Sequence, residues 1–149
     1  MQKLNQFYIK SLVKKALDED LKPRGDITTK LIKFKNKKVK AQIIAKQNGV
    51  ISGLDFCKTA FKLVGKETVF VSKVKDGSKV KKNKAIAEIK AKTKTILTAE
   101  RTALNFLNHS SGISTLTNLF VKKVNKKTKI CCTRKTTPNL RLLEKYAVK

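Results

Sequence analysis

The sequence predicts an α/β fold, because helical and strand-like spacings of apolar residues alternate along the chain. Apolar residues recur at helical spacing in residues 6–21 and 54–64, whereas they alternate with polar residues in 38–46. Near the end of the chain, a short run of β-branched and small apolar residues at 128–133 precedes a helix-like segment that starts at Thr137. A strand that leads directly into a helix is the repeating unit of α/β proteins.

The part of the chain before residue 98 is predicted to contain two helices, short strands and tight turns. Residues 23–26 form a turn whose last residue, Asp26, is placed to cap the segment that follows, a structural rather than a catalytic role. Cys57 lies on the apolar face of the second helix and is interpreted as a small buried hydrophobe. The predicted strands and extended segments are 38–46, 50–52, 69–74 and 85–89, and Val80 leads to a loop at 82–84.

Two further helices are predicted in the following part of the chain. Thr98 is the expected N-cap of a helix over 99–109, Ser111-Gly112 is expected to break it, and a second helix continues to Lys126-Lys127. One face of the first of these helices combines an arginine with two amides and has no lysine: Arg101, Asn105 and Asn108. Its composition leaves open whether this face meets solvent, a ligand or an interface.

Arginine is rare in this chain, which makes its positions informative. Of the 36 cationic residues, four are arginine: Arg24, Arg101, Arg134 and Arg141. A guanidinium group binds a carboxylate or phosphate with two parallel hydrogen bonds, which a lysine ammonium group does not provide. Arg134 lies between the predicted strand and the last predicted helix, beside Thr133 and Lys135, at the position where α/β folds bind ligands. We therefore predict that Arg134 is an anion ligand rather than a surface charge.

The net charge of +26 is extreme and on its own indicates a nucleic-acid partner. The cations are mostly lysine, spread over nearly the whole chain and not interleaved with aromatic residues, so nucleic-acid binding is only the alternative from another functional class. The sequence has no apolar run near the ~18 residues of a membrane span and no signal-peptide core, which favours a cytoplasmic protein without membrane contact. Its three cysteines lack C-x-x-C spacing and His109 is the single histidine, so no zinc site or disulfide framework is predicted.

Two long stretches of sequence carry a resemblance to a known family. One is Ala-Glu-Arg-Thr-Ala-Leu-Asn-Phe-Leu at 99–107 with Ser-Gly-Ile at 111–113, and the other is Thr-Arg-Lys-Thr-Thr-Pro at 133–138 with Leu-Glu-Lys-Tyr-Ala-Val at 143–148. Shorter motifs agree in order and spacing: Gly-Asp-Ile-Thr-Thr at 25–29, Gly-Val-Ile-Ser-Gly-Leu at 49–54 and Asp-Gly at 76–77. Together they resemble quinolinate phosphoribosyltransferase (carboxylating nicotinate-nucleotide pyrophosphorylase) over essentially the whole chain.

The resemblance implies an N-terminal open α/β sandwich domain at 1–107, followed by the start of a seven-stranded β/α barrel at 108–149. Residues 128–133 would be the first barrel strand. Because a β/α barrel takes ~200 or more residues, we expect the barrel to be truncated in this chain. We also expect the 149 residues alone to be inactive.

The resemblance also implies an enzyme of NAD biosynthesis, a glycosyltransferase that moves phosphoribosyl from phosphoribosyl pyrophosphate to quinolinate. Arg134 would bind a quinolinate carboxylate with Thr133 beside it, and Lys135 would lie towards the phosphate side of the same pocket. Arg101 would reach the active site of the partner subunit in a homodimer. Mg2+ would accompany phosphoribosyl pyrophosphate, with its acidic ligands outside these residues.

Three residues depart from the family pattern. Cys132 stands where an acidic residue or glycine is usual, Asn139 replaces a glycine after Pro138, and Ser110 replaces a common leucine. None of them is an expected ligand, and the effect of Cys132 on a proton or hydrogen-bond role at its position is left open. The alternative within the enzyme class is a related phosphoribosyltransferase-like paralogue, either associated with molybdenum transport or specific for nicotinate, but the motif at 143–148 favours the quinolinate enzyme.

Overall fold

The computed structural model describes residues 4–124 and 128–149, which form five helices and five strands. The first helix, α1, covers Gln6–Leu21 as the periodicity predicts. After the turn comes a short helix, α2, at Ile27–Leu31, and the predicted cap is confirmed because Asp26 Oδ1 accepts a hydrogen bond from the Thr29 N–H at 2.9 Å.

The main sheet consists of three antiparallel strands: β1 Lys38–Ile44, β3 Val69–Ser72 and β5 Ala85–Lys92. Strand β5 lies in the centre, between β1 and β3. A separate two-stranded ribbon pairs β2, Gly49–Val50, with β4, Lys79–Val80. The strands predicted from alternating apolar residues are therefore confirmed, with ends that differ by a few residues from those expected.

The two faces of the main sheet differ in polarity. Glu88 lies on one face and forms salt bridges with Lys40 at 2.9 Å and with Lys73 at 3.9 Å, both through partly exposed lysines. Ile89 and Phe70, which pair across β5 and β3, point to the other face and are buried. Because the helices pack on this second face, the sheet is open on one side, an arrangement common for antiparallel sheets.

The helical layer is held together by aromatic contacts between α3, Leu54–Val64, and α4, Thr93–Lys123. The rings of Phe56 and Phe106 stack with their centroids 5.2 Å apart. Cys57 is fully buried beside them, as predicted, and burial together with the charge of Asp76 raises the pKa of its thiol to about 12.

Helix α4 is continuous, so the predicted break at Ser111-Gly112 is wrong. The Ser111 hydroxyl accepts a hydrogen bond from the Ser52 N–H at 3.0 Å and donates to the Ser52 carbonyl at 3.2 Å. A little further along the helix, Thr115 Oγ1 accepts from the Val50 N–H at 2.9 Å. A glycine within a helix costs only about 1 kcal/mol, which such tertiary contacts readily offset.

The start of α4 also differs from the prediction, because the helix begins at Thr93 and Thr98 lies within it. The first turn is capped by a loop that is distant in sequence, since Asn36 Oδ1 accepts a hydrogen bond from the Lys94 N–H at 3.1 Å. Thr98 instead donates its hydroxyl to Asp26 Oδ2 at 2.7 Å. The predicted helix end at 126–127 lies outside the described residues.

Two predictions for the C-terminal segment are wrong as well. Residues 128–133 do not form a strand, because no described strand lies beside them to complete the backbone hydrogen bonds. The last helix, α5, covers Arg141–Val148 and starts after the predicted Thr137-Pro138. Asn139 has a φ of 66°, which no right-handed helix accommodates, so the helix begins only beyond it. The same residue replaces a glycine of the family pattern, which fits this backbone conformation.

Candidate active site

Residues 133–137 form an exposed loop in front of α5. Thr133 Oγ1 accepts a hydrogen bond from the Lys135 N–H at 3.1 Å, and the Arg134 carbonyl accepts one from the Thr136 N–H at 3.0 Å. Within the described residues, neither Arg134 nor Lys135 forms a salt bridge. The structure therefore brings Thr133, Arg134 and Lys135 together and leaves both cationic side chains open to an anion.

Helix α5 is fixed by apolar burial and by polar contacts with the body of the protein. Leu143 and Ala147 are buried, and the Ser114 hydroxyl of α4 donates to the Ala147 carbonyl at 2.6 Å. The Tyr146 hydroxyl donates to Asp76 Oδ2 at 2.7 Å. Burial and the neighbouring Asp76 carboxylate both raise the pKa of Tyr146, so it is a neutral donor throughout the physiological range.

Asp76 connects α5 to the start of α3. Its two carboxylate oxygens accept hydrogen bonds from the Gly53 and Leu54 N–H groups, each at 3.1 Å. Gly53 has a φ of 93°, and a Cβ there would come within 2.9 Å of Ser110 Oγ, so this position requires glycine. One carboxylate thus binds the N-terminus of α3 and the Tyr146 hydroxyl at the same point.

Glu144 connects α4, α5 and the loop. Its Oε1 lies 3.1 Å from Nε2 of His109 on α4, and its Oε2 accepts a hydrogen bond from the Thr137 N–H at 3.2 Å. Burial by itself raises the pKa of the Glu144 carboxyl, but the hydrogen bonds from Thr137 and His109 outweigh it and the pKa is lowered. Glu144 is therefore ionised at neutral pH, where it acts only as an acceptor.

Arg101 lies at a different place from the loop. Its Nη1 pairs with Asp20 Oδ1 at 2.9 Å, and its side chain remains 71% exposed. It lines a cleft of about 230 Å3 together with Asp20, Asp26 and Thr98, a cleft to which Thr133, Arg134 and Lys135 do not contribute. The structure therefore does not bring Arg101 to the loop of its own chain.

The residues that share the polar face of Arg101 each line a different depression of the surface. Asn105 lines a groove of about 910 Å3 between α1, α4 and residues 138–143, which His109 also lines. Asn108 lines another cavity of about 650 Å3, between α4 and the β1–β2 region. The three residues are therefore exposed to different surroundings rather than to one common ligand.

Sequence patterns missed the three carboxylates that organise this region: Asp20, Asp76 and Glu144. Each has a partner far away in the chain, at separations of 81, 70 and 35 residues, which is beyond any local pattern. Asp76 and Glu144 stand out in the sequence only as members of the motifs that carry the family resemblance. The sequence offers one signal that could have pointed to them. The chain has 10 acidic residues against 36 cationic ones, so the position of each acidic residue is informative.

Among residues 4–124 and 128–149, no group of three or more His, Cys, Asp or Glu side chains could hold a metal ion. In the same part of the chain, every helix is too short or too polar to traverse a bilayer.

Two sequence profiles of one family match this chain. The profile described as quinolinate phosphoribosyl transferase, N-terminal domain, matches residues 26–111, and the corresponding C-terminal domain profile matches residues 113–149. Among curated proteins, the chain is 37% identical over 147 residues to the probable nicotinate-nucleotide pyrophosphorylase [carboxylating] of Bacillus subtilis, covering 98% of this chain and 50% of the relative. It is 43% identical over 145 residues to a protein of the same name from Methanocaldococcus jannaschii, covering 95% of this chain and 49% of the relative.

Solved structures agree with these relatives. The nicotinate-nucleotide pyrophosphorylase from Francisella tularensis superposes with a TM-score of 0.91 at 37% identity, over 98% of this chain and 52% of that one. NadC from Streptococcus pyogenes superposes with a TM-score of 0.93 at 38% identity, over 99% of this chain and 53% of that one. The chain thus spans about half the length of the relatives that it matches.

Proposed function

The chain belongs to the quinolinate phosphoribosyl transferase family, and on that basis we propose that the protein transfers phosphoribosyl from phosphoribosyl pyrophosphate to the ring nitrogen of quinolinate. The bond from the ribosyl carbon to pyrophosphate breaks and the bond to the ring nitrogen forms. One carboxylate then leaves as CO2, and the electron pair left on the ring carbon takes up a proton from solvent. The products are nicotinate mononucleotide, pyrophosphate and CO2, and the reaction is a step of NAD biosynthesis.

The observation that carries this proposal is the loop at 133–137, where Arg134 and Lys135 are exposed and have no salt-bridge partner among the described residues. Quinolinate is a dicarboxylate, and the guanidinium of Arg134 matches one carboxylate with two parallel hydrogen bonds. Thr133 supplies a hydroxyl beside that carboxylate. Lys135 provides a point charge on the phosphate side of the same pocket.

Catalysis in this proposal is mostly positioning and electrostatic stabilisation. The ribosyl carbon becomes cationic as pyrophosphate leaves, so the protein must hold two anionic substrates next to each other in the correct orientation. Fixed cations on a loop in front of a helix serve this purpose, because they neutralise the substrates without a covalent intermediate. No residue of this chain is assigned as a general acid, general base or nucleophile.

Arg101 belongs to the proposed site of the partner subunit. It is exposed, lies on a rigid helix and shares no cavity described above with the loop of its own chain. A homodimer with twofold symmetry would bring the Arg101 of each chain to the loop of the other, so that both sites are completed reciprocally.

Mg2+ and the cellular location complete the proposal. We expect Mg2+ to arrive with phosphoribosyl pyrophosphate, and no described residue is assigned to it, because these residues offer no group that could hold a metal. The substrates are soluble small molecules, which is consistent with a cytoplasmic enzyme.

A direct test is to supply the full-length protein with phosphoribosyl pyrophosphate, Mg2+ and quinolinate labelled in the carboxylate that is lost. We expect labelled CO2 and pyrophosphate in equal amounts, and no turnover when nicotinate replaces quinolinate. The 149-residue chain alone is the matched control and should release neither product. Turnover of nicotinate without quinolinate activity would instead assign the protein to the nicotinate-specific paralogues.

A further inference from the structure

Glu144 has a role that the anchoring of α5 does not explain. The helix already has apolar burial at Leu143 and Ala147, the Ser114–Ala147 hydrogen bond and the Tyr146–Asp76 hydrogen bond. Glu144 in addition places an ionised carboxylate at a site where its side chain is only 12% exposed. Desolvating a carboxylate is costly unless its oxygens are hydrogen-bonded, so its partners indicate what it does.

The two partners of Glu144 belong to different parts of the protein. One oxygen meets His109 Nε2 at 3.1 Å, and because an ionised carboxylate is acceptor-only, that ring nitrogen carries the hydrogen. The other oxygen accepts the Thr137 N–H at 3.2 Å, at the end of the exposed loop. Glu144 therefore ties the loop backbone to α4, the long helix at the centre of the fold.

The loop depends on this connection because its other hydrogen bonds stay within the loop or reach only the start of α5, where Arg141 Nε donates to Thr136 Oγ1 at a long 3.5 Å. Lys135 N–H bonds to Thr133 Oγ1 and Thr136 N–H bonds to the Arg134 carbonyl, so both contacts shape the loop without fixing it to the body. At its far end, the Thr137 carbonyl accepts the Leu140 N–H at 3.0 Å, while its N–H is held by Glu144. The backbone of Thr137 is thus fixed on both sides, three positions from Arg134.

We propose that Glu144, oriented by His109, is a positioning residue that holds the Thr133–Thr137 loop so that Arg134 and Lys135 meet the anionic substrates. This role rests on the function proposed above. Glu144 does not touch substrate itself but acts through the Thr137 amide. A charged hydrogen bond is strong enough that its loss should change the opening of the loop about tenfold or more.

The first arm of the test follows the Thr137 amide by hydrogen exchange in the full-length protein, a measurement that needs no enzymatic activity. Glu144→Ala should speed exchange at Thr137 about tenfold, whereas Glu144→Gln keeps an acceptor oxygen and should stay within about threefold of the parent. Tyr146→Phe is the matched control: it removes a hydrogen bond from the same helix without touching the loop, and exchange at Thr137 should stay unchanged. If the Thr137 amide exchanged at the same rate in Glu144→Ala as in the parent, Glu144 would not be what holds the loop.

The second arm measures kcat/KM in the full-length protein. Glu144→Ala should lower it about tenfold in the parent but less than about threefold in an Arg134→Lys background, since both changes act through one loop. Tyr146→Phe should have the same effect in both backgrounds. Equal losses for Glu144→Ala in both backgrounds would overturn the positioning role. The parent could show no quinolinate turnover while exchange at the Thr137 amide changes as expected. In that case the proposed function and the positioning role are both wrong, but the hydrogen bond to Glu144 still holds the loop.

Discussion

Helix α5 and the loop in front of it are neighbours in sequence but are held in opposite ways. The helix buries Leu143 and Ala147 and is bound to the body through Tyr146. The loop exposes Arg134 and Lys135, and its internal hydrogen bonds are local. The two cations that we propose as anion ligands thus lie on an exposed segment, and the helix that follows this segment is anchored to the body of the protein. Substitutions in the helix anchor should therefore change stability, and substitutions in the loop should change activity.

The largest stability effect is expected for Asp76→Asn. The carboxylate accepts hydrogen bonds from Gly53, Leu54 and Tyr146, and an amide in its place presents one acceptor oxygen and a misplaced donor. We expect a loss of about 2–4 kcal/mol in the free energy of unfolding, measured by urea denaturation. Tyr146→Phe, which removes only one of these bonds, should cost about 1 kcal/mol. An Asp76→Asn protein as stable as the parent would show that this junction is not an anchor.

Arg134→Lys should instead lower the activity and leave the stability nearly unchanged. It keeps the charge but loses the bidentate geometry, so transition-state stabilisation should fall by about 1.5–3 kcal/mol, a tenfold to 150-fold loss in kcat/KM. The free energy of unfolding should stay within about 0.5 kcal/mol of the parent, because the side chain is exposed. Arg24→Lys, an identical change at an exposed arginine elsewhere, is the control and should alter neither quantity. If Arg134→Lys retained activity within about twofold, Arg134 would be a surface charge after all.

Asp26→Ala tests a cap far from the loop and should cost about 1 kcal/mol at neutral pH. Burial by itself raises the pKa of Asp26, but hydrogen bonds from Thr29 and Thr98 and the charge of Arg101 lower it below its usual 3.8. A group with a depressed folded-state pKa stabilises the protein fully above its unfolded-state pKa, and this contribution is lost as the pH falls through the folded-state value. The difference in unfolding free energy between parent and variant should therefore be constant from pH 7 to about 5 and shrink below about 4. A difference that grows on acidification would contradict the assigned direction.

Asp20→Asn should have the smallest effect, less than about 1 kcal/mol, because the Arg101–Asp20 pair is largely exposed. Arg101→Ala should be equally mild in urea denaturation. A larger loss in either variant would mean that Arg101 is needed for folding, and its activity effects could then not be read as substrate binding. Mild values leave Arg101 available for the role across a dimer interface.

The sequence was sufficient where periodicity or local chemistry decides structure. Helix α1, helix α3, the Asp26 cap and the burial of Cys57 all follow from patterns within a few residues. The α4 helix could not be predicted as one element, because its continuity depends on contacts to Ser52 and its first turn on Asn36, both distant in sequence. Tertiary contacts there override the local preference of glycine for a break.

The candidate site likewise has features that the sequence predicts and features that depend on distant contacts. The rarity of arginine singled out Arg134, and the structure places it on an exposed loop, although its substrate role stays a prediction. The prediction of a strand directly before Arg134 was wrong. A strand needs a neighbouring strand to complete its hydrogen bonds, and the described residues do not provide one. Glu144 was invisible to spacing arguments because its partners, His109 and Thr137, lie on other elements. The domain boundary expected between residues 107 and 108 stays a prediction. It falls within helix α4, which continues through it without a break.

The shared site across a dimer is tested most directly by mixing two inactive full-length variants, Arg101→Ala and Arg134→Ala. In a heterodimer one site receives Arg134 from the first variant and Arg101 from the second, so it is intact, and the other site lacks both. Random exchange makes about half of the dimers mixed, so about a quarter of all sites should recover activity. If Arg101 served its own chain, every site would keep one defect. Activity that stays at the level of the single variants, with subunit exchange confirmed, would contradict the account.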